Sequence, residues 1–465
     1  MHEGWKMFTE WKGRMKLRVA FLTLGCKVNF YETEKMKRQF EEAGHTVVAF
    51  GESADAYIIN TCTVTNIADR KSRKMLHRAR RQNPEAVVVA AGCYADSAKK
   101  KGEADESIDL FVSNEEKNAI VEKVAAALSG RGAVWQGGLS DFERECRMTE
   151  EAMPQKHTRA YLKVQDGCNQ YCSYCIIPYV RGPLKSRGIE DAAVEAAGMA
   201  QQGIHEIVLT GIHLSSYGVD FSGGKHFVEL GGRPLLSLLK EISGIRGIER
   251  IRLGSLEPRI ITEEFVKELA GIPKLCPQFH LSLQSGCDGT LRRMNRHYTT
   301  GDYLKRLGIL RGYFENPAIT TDVIVGFPQE TAEDFEATCA FVKKAAFARI
   351  HVFKYSRRHG TMADAMEGQV AEEEKARRSD VLLGTAAKLE EEYKRIFAGK
   401  REKVLFEEIV RIQGKEYLTG YNERYVRIGV PVKEGDIRRC NTIGSVQVSG
   451  CLAEGLMLGD FSSCP

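Results

Sequence analysis

Three cysteines packed into eight residues, Cys168, Cys172 and Cys175, constrain this chain more than any other stretch. For all three thiols to reach one centre the backbone must turn tightly, so the segment is a loop held between rigid elements. Cubane iron–sulfur clusters take four protein ligands when complete, and a compact triad with no evident fourth cysteine leaves one iron open. Structural zinc would want four tetrahedral ligands, usually as two separated pairs. No second close pair of cysteines or histidines follows at that spacing, which leaves zinc and unliganded core cysteines as the weaker readings.

The surrounding pattern says where such a loop sits. Apolar or β-rich runs lie near Ala160–Val164, His205–Thr210, Glu249–Gly254, Gln278–Leu283, Ile319–Val325 and Arg349–Tyr355, with helical segments between them. Six strand–helix units predict a partial (β/α) barrel, whose working residues stand in the loops after the strands. The cysteine loop follows the first strand, and Gly211 with His213 follows the second. Ser255 and Glu257 follow the third, Gln284 and Ser285 the fourth, Gly326-Phe327-Pro328 the fifth, and Ser356-Arg357 the sixth. Glycine admits backbone amides close to a ligand, and these polar side chains suit a zwitterionic cofactor. Asp322, inside an apolar strand, needs a partner. Arg181, Lys185 and Arg187, just past the cysteine loop, fit either a cofactor carboxylate or an RNA phosphate, and the sequence does not choose between them.

The same placement recurs upstream. Runs at Leu17–Leu24, Tyr57–Asn60 and Val87–Ala91 end at Cys26, Cys62 and Cys93, with helix-like segments between them. This reads as a doubly wound α/β domain, in which ligands bind outside the carboxyl ends of the strands. Three thiols then converge on one sheet edge; the competing reading is cysteine as a small apolar core residue. In the helix after Cys62, Ala68, Ser72, Met75, Leu76 and Ala79 form a stripe at helical spacing. Arg70, Lys71, Arg73, Lys74, Arg78, Arg80 and Arg81 cover the rest. Cations with so few interleaved carboxylates repel one another, and phosphate is the natural neutraliser; the alternative is a solvated face.

A chain of 465 residues exceeds one compact core and suggests three units. The segments read as an extension (1–16), the α/β cluster domain (17–130), a connector (131–154), the barrel (155–368), a linking helix (369–398) and a small antiparallel β-barrel (399–465). In that helix Val381, Leu382, Ala386, Leu389, Tyr393, Ile396 and Phe397 form the packing face. Short β-rich runs near Lys403–Ile412, Glu416–Tyr421, Tyr425–Val432 and Gly444–Val448 build the last unit. Thirteen scattered cysteines fit thiol and cluster chemistry in a reducing cytoplasm better than disulfides. No apolar run approaches the roughly 18 residues of a membrane span, and neither signal peptide nor membrane anchor is visible. A net charge of +5 permits a polyanionic partner without demanding one.

Taken together, Gly25-Cys26-Lys27-Val28-Asn29, Asn60-Thr61-Cys62-Thr63-Val64-Thr65, Ala91-Gly92-Cys93, the Cys168 loop with Tyr174 before its last cysteine, Leu283-Gln284-Ser285-Gly286-Cys287, Met294-Asn295-Arg296 and Tyr355-Ser356-Arg357-Arg358-His359-Gly360-Thr361 resemble the methylthiotransferases among radical S-adenosylmethionine enzymes. Within that family, the stretches around Cys26 and Gln284 are similar to the branch acting on N6-threonylcarbamoyladenosine beside the tRNA anticodon. A departure is Gln329, where glycine commonly follows the Gly-Phe-Pro turn.

The resemblance implies two [4Fe–4S] clusters, on Cys26, Cys62, Cys93 and on Cys168, Cys172, Cys175, and S-adenosylmethionine both as radical source and as methyl donor. It implies cofactor contacts from Tyr174, Gly211, Ser255, Glu257, Gln284, Ser285 and Arg187. Substrate contacts are expected from Arg181, Lys185, Arg357, Arg70, Arg73, Arg78 and Arg81. The C-terminal unit would be an RNA-binding TRAM barrel, and the partners are tRNA, an electron donor such as flavodoxin or ferredoxin, and a sulfur source. Rival readings are the branches acting on isopentenyladenosine tRNA or a ribosomal protein aspartate, and a non-catalytic RNA-binding electron carrier. Against the ribosomal branch, residues 400–465 hold 10 Lys and Arg to 9 Asp and Glu, near neutral rather than acidic.

Overall fold

The computed structural model describes residues 16–130, 158–222, 230–433, 439–453 and 455–461; residues 1–15 of the expected extension and the expected connector lie outside them. Two compact units emerge, Met1–Met148 with Tyr179–Arg181, and Thr149–Pro178 with Gly182–Pro465.

The first unit holds a five-stranded parallel sheet of β1 (Arg18–Thr23), β2 (Thr46–Val48), β3 (Ala56–Thr61), β4 (Val87–Gly92) and β5 (Leu110–Val112), in the order β2-β1-β3-β4-β5. Every residue of β3 and β4 is buried. Central parallel strands are covered on both faces, which is why they read as unbroken apolar runs. Tyr57, Ile59, Val88 and Ala90 pack with Leu76 and Ala79 on one face, while Ile58, Val87 and Val89 pack with Phe40, Ile120 and Val124 on the other. The edge strands β2 and β5, of three residues each, were not expected from the sequence; they are too short to carry a periodic signal.

The second unit opens with β6 (Arg159–Lys163), the short pair β7 (Gln165–Asp166) and β8 (Lys185–Ser186), β9 (Glu206–Thr210) and β10 (Arg250–Leu253), which continues through Gly254 into β11 (Ser255–Leu256). β12 (Gln278–Leu281), β13 (Ala318–Val325) and β14 (Arg349–Lys354) follow. The strands lie as β10-β9-β6 and β11-β12-β13-β14, all parallel, so the six expected units are present. Alternate residues such as Leu162, Ile207, Leu209, Ile251, Phe279, Ile319, Val323 and Ile350 pack under the helices in one core. The intervening residues face the inside of the open layer.

The long helix is Glu372–Arg395. Leu382, Ala386, Leu389 and Phe397 are buried, whereas Val381 and Ile396 are exposed and leave the expected packing face. The final unit is a closed barrel of β15 (Arg401–Ile412), β16 (Lys415–Asn422), β17 (Arg427–Pro431), β18 (Ile443–Ala453) and β19 (Leu456–Phe461). Four of its pairings are antiparallel. The fifth, β17 with β19, is parallel and closes the ring, removing the free edges that a sheet would expose.

This barrel docks onto the inner face of β6, β9 and β10 through buried charge. Arg252 Nη1 and Nη2 donate to the carbonyls of Glu423 and Asn422 at 2.7 Å each, and Arg250 donates to the carbonyls of Tyr421 and Lys403 at 2.9 and 2.7 Å. Tyr425 stacks under both Arg159 and Arg252, with guanidinium-to-ring distances of 5.0 and 4.1 Å.

Candidate active site

In the first unit the C-terminal ends of β1, β3 and β4 deliver Cys26, Cys62 and Cys93. Cys26 caps the helix Lys27–Glu42 and Cys93 opens the helix Cys93–Lys101. The turn needs glycine: at Gly25 φ is +102°, and a Cβ would stand 2.7 Å from that of Cys62. Burial pushes the Cys62 thiol up to about 12, with Cys93 and Cys26 adding to the rise. Thiols held this way shed their protons to a metal rather than to water.

Beneath the triad is a polar platform that the sequence did not reveal. Lys117 Nζ is buried and bonds Glu32 at 2.5 Å, Asn60 Oδ1 at 3.0 Å and Asn114 Oδ1 at 2.9 Å. Arg181, counted with this unit, donates to Glu32 at 3.0 Å and to Asn29 Oδ1 at 2.7 Å. Asn114 Nδ2 lies 3.8 Å from the Cys93 sulfur, and Asn29 Oδ1 4.0 Å from that of Cys26. Lys117 and Arg181 thus bring two cationic groups beneath three sulfurs, which fits an anionic cluster. Arg181, expected at a substrate or cofactor carboxylate, has its guanidinium buried in this network and paired with Glu32.

The second triad lies between β7 and the helix Ile177–Arg181. Tyr171 adopts φ 47°, which lets the loop fold back on itself. Ser173 anchors it, with its backbone N–H on the Met294 carbonyl at 3.1 Å and its hydroxyl on that of Arg293 at 2.8 Å. Asn295 Nδ2 donates to the Tyr171 carbonyl at 3.0 Å. Arg296 Nη1 donates to the Cys172 sulfur at 3.2 Å while its Nε bonds Tyr298 Oη at 3.0 Å. The Met294-Asn295-Arg296 stretch thus holds the cysteine loop from a distance of over a hundred residues. Burial raises Cys168 to about 11 and Cys175 to about 12. Tyr174 meets the Phe327 ring edge-on at 6.5 Å, so it packs the loop against the fifth strand end.

The expected cofactor residues divide. Gly211 lies so close to Gln165 that a Cβ would meet its Oε1 at 2.7 Å. Ser255 is exposed at its strand end. Glu257 is buried and paired with Arg259 at 2.8 Å, and Arg259 reaches Gln170 of the cysteine loop at 3.2 Å. Gln284 has φ 70°, and its N–H and C=O bond the backbone of Asp322 and Ile324. The Ser285 hydroxyl accepts from the Cys287 N–H and meets that of Thr338 at 3.4 Å. Arg187 pairs with Glu195 and donates to the Asp191 carbonyl.

Among the substrate candidates, Lys185 sits in β8 opposite Asp166. Arg357 bonds Asp364 at 3.0 Å, so it is already neutralised. Gln329, at the position marked by the sequence departure, adopts φ 62°, the left-handed conformation that glycine takes most easily. On the helix Asn66–Gln82, Ser72, Leu76 and Ala79 are buried, and Arg70, Lys71, Arg73, Lys74, Arg78 and Arg81 are exposed. Arg80 is different: it pairs with Asp109 and donates to the carbonyls of Pro84 and Ala86 at 2.7 and 3.0 Å. It secures the helix rather than extending the basic face.

Comparison with known proteins adds a lineage to this geometry. Residues 18–113 match uncharacterized protein family UPF0004, and residues 162–342 match the radical SAM superfamily. The threonylcarbamoyladenosine tRNA methylthiotransferase MtaB of Bacillus subtilis is 38% identical, over 88% of this chain and 89% of its own. That of Aquifex aeolicus is 36% identical, over 90% and 99%. The tRNA-2-methylthio-N(6)-dimethylallyladenosine synthase of Acetivibrio thermocellus is 32% identical, over 87% and 83%. Among solved structures, the radical S-adenosylmethionine methyltransferase TsrM of Kitasatospora setae shares the fold, with TM-score 0.52 and 16% identity over 75% of this chain and 77% of its own.

Proposed function

Because the chain belongs to the methylthiotransferase family of radical S-adenosylmethionine enzymes, we propose that it inserts a methylthio group at C2 of N6-threonylcarbamoyladenosine in tRNA. The observation that carries this reading is the pair of cysteine triads, each at the carboxyl ends of parallel strands and each with three sulfurs for a four-iron cluster. Relatives named for the threonylcarbamoyl substrate match at 36 and 38% identity, against 32% for one named for the dimethylallyl substrate, which favours the threonylcarbamoyl branch.

The adenine C2 carbon has no acidic proton and no leaving group, so polar chemistry does not activate it at useful cost. Two [4Fe–4S] clusters and S-adenosylmethionine, when bound, supply the electron, the radical, the methyl group and the site of sulfur delivery. The protein's part is to hold and orient. Cys168, Cys172 and Cys175 would ligate the radical cluster, with Arg296 fixing the Cys172 sulfur and the Glu257–Arg259–Gln170 chain fixing the loop. Cys26, Cys62 and Cys93 would ligate the second, over the Lys117 platform. Gly211, Ser255 and Gln284 would line the S-adenosylmethionine side. The exposed arginines of Asn66–Gln82 and the closed terminal barrel would take the tRNA backbone, with a small electron carrier such as flavodoxin or ferredoxin, a sulfur source and the cytoplasm as setting. Among the described residues no helix is long and apolar enough to cross a membrane.

The test offers the anaerobically reconstituted enzyme, with reductant, sulfide and S-adenosylmethionine, three tRNAs: bearing the threonylcarbamoyl group, unmodified, and bearing the isopentenyl group. Nucleoside mass spectrometry should find the methylthio product chiefly in the first. Equal conversion of the third overturns the choice of branch, and absence of S-adenosylmethionine cleavage overturns the enzymatic reading.

A further inference from the structure

The carboxylate that stood alone inside an apolar strand in the sequence has company in the fold. Asp322 lies on β13, the strand between β12 and β14, and its Cα partner on β14 is His351. On β12, His280 stands beside Thr320, two residues before Asp322. The alternation of each strand sends Phe279, Leu281, Ile319, Thr321, Val323 and Ile350 toward the helices or into the core. His280, Asp322 and His351 are thereby left together on the opposite, inner face.

The three side chains converge. One ligand atom from each lies within 4.8 Å of the other two. His280 Nε2 is 3.2 Å from Asp322 Oδ2, and the two imidazole rings are 6.0 Å apart, tilted by 35°. His280 Nδ1 is 3.0 Å from the Thr320 hydroxyl, which can accept from a protonated Nδ1 and so leave the Nε2 lone pair for a metal. That is the outer hydrogen bond by which a ligating histidine is usually oriented.

We propose that His280, Asp322 and His351 form a mononuclear site for a divalent first-row transition ion on the inner face of the β12–β14 layer, separate from both cysteine triads. Two imidazoles and one carboxylate on one side of an ion leave its other positions open to water or to an oxyanion, and that donor set suits Mn2+, Fe2+ or Zn2+. Thiolates are not involved, which sets the site apart chemically from the clusters. His280 and Asp322 are half-buried and His351 is more open, so an ion can enter without unfolding the strands.

Manganese tests this cleanly because it is a poor thiolate binder and is paramagnetic. The reconstituted holoenzyme, with its clusters in the oxidised, diamagnetic state, is titrated with MnCl2 and followed by electron paramagnetic resonance. Expected is a single saturable site, with nitrogen couplings from imidazole in the pulsed spectrum and release of Mn2+ by Zn2+. D322N and H351A should each weaken it more than about tenfold, and T320V, which touches no ion, by about tenfold through loss of the orienting bond. Cluster content and circular dichroism establish that each variant is folded. Wild-type protein that leaves all Mn2+ in its aqueous form, or folded D322N and H351A that bind as tightly as wild type, would overturn the proposal and leave a simple His280–Asp322 hydrogen bond.

Discussion

Arg252 and Glu206, both with fully buried side chains, meet at 2.8 Å on the inner face of β10 and β9. Arg159 bonds the same carboxylate at 2.7 Å and pairs with Glu407 of β15 at 2.5 Å. A buried pair is poor evidence of net stabilisation, yet removing one member strands the other's charge at a cost of about 3–5 kcal/mol. We expect E206Q to destabilise the second unit by that order and to expose the terminal barrel to limited proteolysis. A thermal shift within error of wild type would show that the network tolerates an unpaired Arg252.

Burial alone would raise the Glu206 pKa, but Arg252 and Arg159 outweigh it and hold the carboxyl down at about 2. A depressed carboxylate contributes stability above its unfolded pKa, roughly 4.3, that is lost as pH falls toward the folded value. Wild-type stability should therefore fall between about pH 4.3 and pH 2. The difference between wild type and E206Q should narrow over the same interval, as read from chemical denaturation at each pH.

Arg296 places a permanent positive charge 3.2 Å from the Cys172 sulfur. Such a charge favours the reduced, more negative form of a cluster ligated there. R296Q should still load two clusters but shift the radical cluster to a more negative potential, measured by redox titration with electron paramagnetic resonance. An unchanged potential would confine Arg296 to packing on Tyr298.

Lys117 offers the corresponding test in the first unit. K117M removes one of the cations bonded to Glu32 and with it positive charge beneath Cys26, Cys62 and Cys93. Iron and sulfide analysis should show loss of one cluster while reductive cleavage of S-adenosylmethionine persists, and full loading of both would refute the role of the platform.

Replacing Arg70, Arg73, Arg78 and Arg81 by alanine should lower the salt dependence of tRNA binding by roughly one logarithmic unit per lost phosphate contact. R80A should instead reduce thermal stability, because its guanidinium is bonded to Asp109 and two carbonyls. A slope equal to wild type would make the exposed arginines an ordinary solvated face.

Sequence alone determined the elements that carry chemistry. Apolar periodicity is a local property, so the strands ending near Cys26, Cys62, Cys93 and Gln284 could be read directly, and the cysteines with them. Periodicity failed at β2 and β5, where three residues do not make a period, and on the long helix at Val381 and Ile396, where apolar side chains face solvent.

Which charge meets which was decided only in the tertiary structure. Arg181 finds Glu32 across 149 positions and Arg296 finds Cys172 across 124, pairings set by how elements pack and invisible to any local window. The basic residues expected at substrate or cofactor were assigned by position along the chain, and Arg181, Arg187 and Arg357 are each paired with a carboxylate in the fold. Asp322 shows the same division: its place in an apolar strand was legible, but His280 and His351 became its neighbours only when three strands aligned in register. Local pattern specifies where a side chain points. Its partner, and hence whether its charge is available for chemistry, depends on contacts that form only when distant segments fold together.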